Sequence, residues 1–515
     1  KGMPSFNGVF NRDRTKWIYD KNGDIFMLQV SSGIVTQVTN TTDYESDPGF
    51  SHNEDLIIFS KGNNLFSWDI KSGAVKQLTD IRAGKAKPDE KPYSSDNDRW
   101  LQEDQLRLFK VLQERKQVKD ISEKENEALK PERPKTVYTG TDRVRNVMVS
   151  PGMDFITWIT SSPVESERTL IPEFVTESGY TEEEKSRSKV GSPNVSSSLI
   201  HIYDITRDSV YKVNIDDIPG IDEQIEFAYR KPAKDPKKPE KRGVIIYGPI
   251  WSDDGRNAVV DVYSTDNKDR WIMLLDINTG GMKLIDRQHD EAWIGGPGLR
   301  YGGTPSWLPD NRRIWFQSEV SGYSHLYTAD VFNGQKKAVT TGDYEIYNPV
   351  LSRDGKYWYC LSNESDPGIR ELYRITVKDG SKVKLTNLGG GVEARLSPDE
   401  KYFALRVSYA TRPWELYLLE NREKAVPVKI TESLTSGFKS YSWRQPEFVS
   451  FKASDGIMVP ARLYRPSENV KNGAAVVFVH GAGYLQNAHK WWSSYSREYM
   501  FHNFLVDNGY TVLDI

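Results

Sequence analysis

The run VVFVHGAGY, residues 476–484, is where this sequence could do chemistry. An apolar strand at 474–479 ends in His480, Gly481, Ala482, Gly483 and Tyr484. A glycine-rich loop leaving such a strand lets backbone N–H groups approach a reacting carbonyl with no side chain in the way. His480 either takes a direct part or braces the loop as a strand-end residue. A second place is TLIPEFVTESGYTEEE, which puts Glu173, Glu177 and Tyr180 in one short stretch between two expected strands. A carboxylate near a substrate ammonium forms a charge-assisted hydrogen bond and reads chain ends. The plainer reading of that stretch is an exposed acidic loop. Tyr484 is counted with these three as a substrate-side residue.

Other chemistry is not signalled. His52, His201, His289, His325, His480, His489 and His502 show no metal-ligand spacing, so no metal is expected. No cofactor is expected either. Asp253-Asp254-Gly255 reads as a turn with too few ligands for calcium. The single cysteine, Cys360, excludes an internal disulfide, sits in an apolar strand and is read as a small buried hydrophobe. A formal net charge of −3 argues against a nucleic-acid partner. No run is long and apolar enough for a membrane-spanning helix. The chain begins Lys-Gly-Met with no signal-peptide pattern, which leaves the compartment open. A periplasmic or secreted location is favoured slightly over a cytoplasmic one.

The elements that must hold these residues come from a repeat. A turn of Ser-Pro-Asp-Gly type, an apolar strand, a polar gap, a strand ending in an aromatic residue and Asp, then Gly and Leu-Thr, recurs along the chain. It is clearest at 50–80 and 251–285, and weaker at 307–341, 351–387 and 396–431. Copies at 11–40 and 149–213 complete the set. Four short alternating strands per unit is the signature of propeller blades. The expectation is therefore a mainly β chain with a seven-bladed β-propeller over 1–445, with room for an eighth blade in a longer gap. A β-sandwich would not explain the repeated phrase.

Two segments interrupt the pattern. Residues 81–140 are highly charged, and Leu101, Leu106, Leu108, Phe109 and Leu112 fall near helical spacing, so a helical insertion is expected near 97–129. It is read as a solvated arm, with a cavity wall or a homodimer contact as the other readings. Residues 229–242, YRKPAKDPKKPEKR, read as a Pro/Lys-rich loop.

The pattern changes near 442–447. A hairpin around Asp455-Gly456, the strand at 474–479, a helix from about 488 to 508 closed by Gly509, and a strand in TVLDI give the opening of a doubly wound sheet over 446–515.

With its blade phrases and its DG…A.LY.P…VV..HG.G stretch, the whole chain resembles the prolyl oligopeptidase family of serine peptidases, including its dipeptidyl peptidase IV and acylaminoacyl peptidase branches. The resemblance implies an α/β-hydrolase domain with a Ser-Asp-His triad, capped by a propeller that admits short peptides. In the dipeptidyl peptidase IV branch an oxyanion Tyr ends the strand occupied here by His480; acylaminoacyl peptidases carry His there. The oxyanion donor is then the N–H of Gly481 or Ala482. The family's nucleophile sits in a Gly-x-Ser-x-Gly elbow, and no Ser here has Gly at both places. Asp and His follow that Ser in family order, so only the start of the hydrolase domain is expected and the chain by itself should be inactive. The Glu pair that holds the substrate amine in the dipeptidyl peptidase IV branch has no counterpart in the matching stretch, KTVYTGTDRVRNVMVSPG at 135–152. Exopeptidase, endopeptidase and acylaminoacyl cleavage all stay open. So do a non-catalytic peptide- or protein-binding propeller and an esterase-type hydrolase.

Overall fold

A half-apolar strand is stable only beside neighbours, and each recurring phrase supplies four strands that pair with one another. In the computed structural model, residues 7–86, 95–130, 133–164, 167–188, 196–223, 241–299, 305–481 and 485–515 are described. Among them stand seven antiparallel four-stranded sheets, spanning 8–37, 45–77, 143–212, 244–289, 306–338, 346–384 and 391–429. Each keeps its strands in chain order, and the repeat is that of a β-propeller. No eighth such sheet occurs among the described residues. Most of residues 229–242 lie outside them.

The recurring residues have a local cause. Ser51, Ser150, Ser252, Ser352 and Ser397 each accept, through Oγ, the N–H five residues on, at 3.0–3.1 Å. The threonine of the Leu-Thr pair does the same for the third strand. Thr39, Thr79, Thr340, Thr386 and Thr431 accept from the N–H of Ile25, Leu65, Leu326, Leu372 and Leu416 at 2.8–3.0 Å. These hydroxyls satisfy backbone donors that the ladder leaves over. First strands of four blades share a bulge, at 46–49, 145–148, 247–250 and 347–350. Left-handed backbone there falls on Asp47, Asn146, Gly248 and Asn348, residue types that tolerate it.

The chain gathers into two units, Lys1–Lys212 and Val213–Ile515. In the first, apolar residues of adjacent sheets interdigitate as Ile18, Ile25, Ile57 and Phe59, and as Ile58, Leu65, Ile81, Ile156 and Trp158. The arm consists of helices Asp96–Leu108 and Lys110–Leu129, neither of which has a buried residue. Ser95 caps the first by accepting from Asp98 N at 3.2 Å. Ion pairs Arg99–Glu103 and Lys119–Glu123 lie four residues apart along the helices. At the arm's base, strands Asp80–Arg82 and Thr136–Tyr138 pair in parallel. In the third sheet, strands Phe155–Ser161 and Ser198–Asp204 pair along their length. Between them in sequence stands a hairpin of Arg168–Glu173 and Glu182–Ser188.

In the second unit four blades pack through clusters such as Leu308, Trp315, Leu326, Ile346, Trp358 and Cys360. Cys360 is buried as read, and burial pushes its thiol up to about 12. A mixed sheet follows in the order Glu447–Lys452, Met458–Tyr464, Thr511–Asp514, Ala475–Phe478. The last two strands are parallel and joined through helix Ser496–Asp507, a crossover of βαβ type. Gly509 follows that helix at φ +88°, and a Cβ there would lie 2.0 Å from Val470 O. The helix starts at Ser496, later than the expected 488. The backbone N–H groups of Lys490 and Trp492 donate to Gly368 O and Ser408 Oγ at 2.8 and 3.0 Å, which holds this stretch against two blades.

A fully buried ion pair ties the blade at 244–289. Arg270 donates from Nε and Nη2 to Asp261 at 2.8 and 3.1 Å, and from Nη1 to Gln317 O at 2.9 Å. Asp261→Ala leaves that guanidinium uncompensated and should cost about 3–5 kcal/mol in urea unfolding. Asp261→Leu with Arg270→Met should recover most of the loss.

Candidate active site

The glycine loop leaves the strand Ala475–Phe478, which among the described residues pairs with Thr511–Asp514, and Val477 and Val479 are 56 % and 68 % exposed. His480 is half-buried and donates from Nδ1 to Gly481 O at 3.0 Å, the geometry of a brace. Gly481 is exposed, and a Cβ built on it would meet nothing within 4 Å. No described atom therefore crowds the place where a side chain of residue 481 would stand. Ala482 and Tyr484 lie outside the described residues.

Beyond the loop, Gln486–Trp492 is fastened to blade loops of the same unit. Gln486 donates to Pro367 O at 2.8 Å and accepts from Arg370 Nη2 at 2.9 Å. Lys490 pairs with Asp366. The Arg370 guanidinium lies 4.0 Å from the Tyr347 ring and 5.1 Å from the Trp491 ring. Tyr499 donates from its hydroxyl to Ala410 O.

The same blade ends hold carboxylates that the sequence reading missed. Burial, with the charges of Glu345 and Asp290, pushes the Glu319 carboxyl up to about 7. The Glu319 carboxyl makes no hydrogen bond or ion pair among the described residues; its backbone carbonyl accepts from Gly322 N at 2.8 Å. Burial raises Glu345 also, although its Oε2 accepts from Ser324 N at 2.6 Å. A signal was available in the repeat. Asp43-Tyr44-Glu45 and Asp343-Tyr344-Glu345 occupy the same blade position. Opposite Glu45 stands Lys61, at 3.6 Å. The corresponding place by Glu345 is filled by Asn363, which accepts from Glu345 N at 2.7 Å and brings no charge. One carboxylate slot is neutralised and the other is left without a contacting cation.

Glu173, Glu177 and Tyr180 stand on the hairpin of the first unit. A shallow cleft of about 560 Å³ is lined by Glu173, Val175, Thr176, Glu177, Ser178 and Glu182. The hairpin thus brings Glu173 and Glu177 together and adds Glu182, which accepts from Ser178 Oγ at 2.7 Å. Tyr180 is 80 % exposed and joins only through its backbone, its carbonyl accepting from Thr176 Oγ1 at 2.6 Å. Among the described residues no group of three or more His, Cys, Asp or Glu is placed to hold a metal ion, and no helix is long and apolar enough to cross a membrane.

Comparison with known proteins adds the following. A family model described as the dipeptidyl peptidase IV (DPP IV) N-terminal region matches residues 146–414, just over half of the chain. A crystal structure of dipeptidyl peptidase 4 from Porphyromonas gingivalis superposes with a TM-score of 0.61 at 16 % identity, covering 99 % of this chain and 62 % of that one. A structure from Bacteroides ovatus, provisionally called a dipeptidyl aminopeptidase IV, gives 0.61 at 12 %, covering 97 % and 62 %. At such identities the likeness speaks for the fold. The chain spans less than two thirds of the length of either structure.

Glu319 generates a stability test. An acid whose folded value, about 7, exceeds its ordinary value of 4.5 releases its proton earlier in the unfolded chain. Its ionisation therefore removes stability as pH rises from 4.5 through 7. By scanning fluorimetry Glu319→Gln should melt above the wild type at pH 8 and with it at pH 4.

Proposed function

Since the chain belongs to the family of the dipeptidyl peptidase IV N-terminal region, we propose that it is the propeller and opening hydrolase portion of a serine peptidase acting on short peptides. The observation that carries this reading is the glycine loop. It leaves a parallel strand of a βαβ unit, and Gly481 is exposed with no described atom within 4 Å of where a side chain would stand, which suits the approach of a carbonyl oxygen to a backbone N–H. On this reading a Ser attacks the peptide carbonyl, a His takes its proton as base and returns it to the leaving amine, and an Asp orients that His. All three belong to a part of the protein that follows Ile515. The N–H of Gly481 or Ala482 then donates to the oxyanion, with His480 holding the loop through its own carbonyl contact.

Glu319 and Glu345 are our choice for the groups that read the substrate's amino terminus. Both are partly desolvated, both lack a contacting cation, and both belong to the unit that carries the glycine loop. A charge in such a place is worth more to an ammonium than one in water. Glu173 and Glu177 are a second reading, favoured by their shared cleft and weakened by their exposure.

Three results test this. A fluorophosphonate probe should label a longer protein extending past Ile515 and leave this chain unlabelled; labelling of this chain would defeat the assignment of the nucleophile. The longer protein should cleave proline- or alanine-linked chromogenic peptides, and turnover of short acyl esters alone would favour an esterase. Glu319→Gln should raise KM for peptides with a free amino terminus about 10-fold or more at pH 8 with kcat little changed. In the wild type that KM should fall as pH rises through about 7, because the carboxylate binds the amine only when ionised.

A further inference from the structure

A buried polar group lies behind the glycine loop that neither the family match nor the oxyanion reading uses. Asp514 ends the strand Thr511–Asp514, where its register partners are Phe478 on one side and Arg462 on the other. Its carboxylate is fully buried. Oδ2 accepts from Arg462 Nη2 at 2.5 Å, and Oδ1 accepts from Asn487 Nδ2. Arg462 is 0 % exposed and Asn487 4 %. Among the described residues Arg462 Nε and Nη1 have no hydrogen-bond partner, and Asp514 is the one anion this guanidinium contacts. Asn487 is fixed from its other end as well, Oδ1 accepting from Ser493 Oγ at 3.3 Å.

The topology gives this group a use. The glycine loop begins where Phe478 leaves the sheet, and Phe478 is held beside Asp514 by the ladder. After the loop, Gln486 is held by Pro367 and Arg370, and Asn487 bonds the same carboxylate. Both ends of the loop are therefore referred to one buried charge, whose own place is set by Arg462 on the neighbouring strand. Releasing a hydrogen bond to a buried carboxylate is costly, so the loop's return point is held firmly. An oxyanion donor needs such definition, because stabilisation falls steeply when an N–H is displaced from the oxygen.

We infer that Asn487, anchored by Asp514 and through it by Arg462, is a positioning residue for the glycine loop, setting where the Gly481 N–H meets the substrate oxygen. This rests on the peptidase reading above. The anchor competes with a purely structural role in which the three residues only pin two strands together.

The test uses two readouts. In this chain, amide exchange by mass spectrometry over 479–487 should quicken in Asn487→Ala, with the melting temperature showing that the variant is folded. The reciprocal pair Asn487→Asp with Asp514→Asn keeps one carboxylate and one amide to bond it at the same contact, and should restore slow exchange. In the longer protein, Asn487→Ala should lower kcat about 10- to 100-fold with KM nearly unchanged, and the reciprocal pair should recover most of that loss. Unchanged exchange, an unchanged kcat, or a loss that the reciprocal pair leaves uncorrected overturns the inference. A longer wild-type protein that turns over no peptide removes the peptidase reading and the catalytic purpose of the anchor with it; the exchange result then decides alone whether the anchor exists.

Discussion

The blades of this protein share a difficulty at the tight turn and along the third strand, where a backbone N–H would be shut away from water without a partner. In five of the seven sheets a serine hydroxyl accepts at the turn, and in five a threonine hydroxyl accepts on the third strand, while at the turn of the sheet 8–37 the side-chain oxygen of Asn11 accepts instead. The serine at the turn and the threonine of the Leu-Thr pair accept those donors at 2.8–3.1 Å in blade after blade. An orphaned donor of this kind costs more than a typical hydrogen bond contributes. The sheets therefore depend on two small residues placed correctly, while the apolar positions between them vary freely among Ile, Val, Leu, Phe and Trp.

The blades supply a scaffold whose polar features diverge at their ends. At one blade end Glu45 meets Lys61; at the matching end of another, Glu345 meets Asn363. The same fold position thus yields a carboxylate paired with a cation in one blade and one without a contacting cation in another. Loops beside Glu345 also receive the chain that follows the glycine loop, through Asp366, Pro367, Gly368 and Arg370. Rigid strands set the distances, and exposed loop ends carry the groups that can act.

What could be read from the sequence follows the reach of each interaction. The turn serine binds five residues ahead and the threonine fourteen or fifteen behind, so both leave a phrase that repeats and the propeller was legible. The strand, glycine loop, helix and strand near the end were legible for the same reason. The start of that helix was not. Gln486–Trp492 has enough helical character in its composition, but its backbone is claimed by Gly368 and Ser408, far away in the chain. Glu319 was missed because its character comes from burial among separate blades, which no local pattern records, and Glu345 had only the repeated Asp-Tyr-Glu to mark it. The sequence placed Glu173 and Glu177 in one insertion between strands; that they share a cleft, and how strongly they are solvated, could be known only from the fold.

The arm has a consequence for how such a chain can change over time. It leaves the blades at Asp80–Arg82 and rejoins them at Thr136–Tyr138, strands that lie side by side, with Gly84 and Gly140 bridged just beyond. Since departure and return are neighbours, the span between them closes at nearly constant cost whatever its length. No residue of its helices is buried. Substitution, lengthening or loss of the arm is therefore nearly invisible to the sheets, and descendants of this sequence can trade it for other appendages while the hydroxyl-closed turns stay as they are.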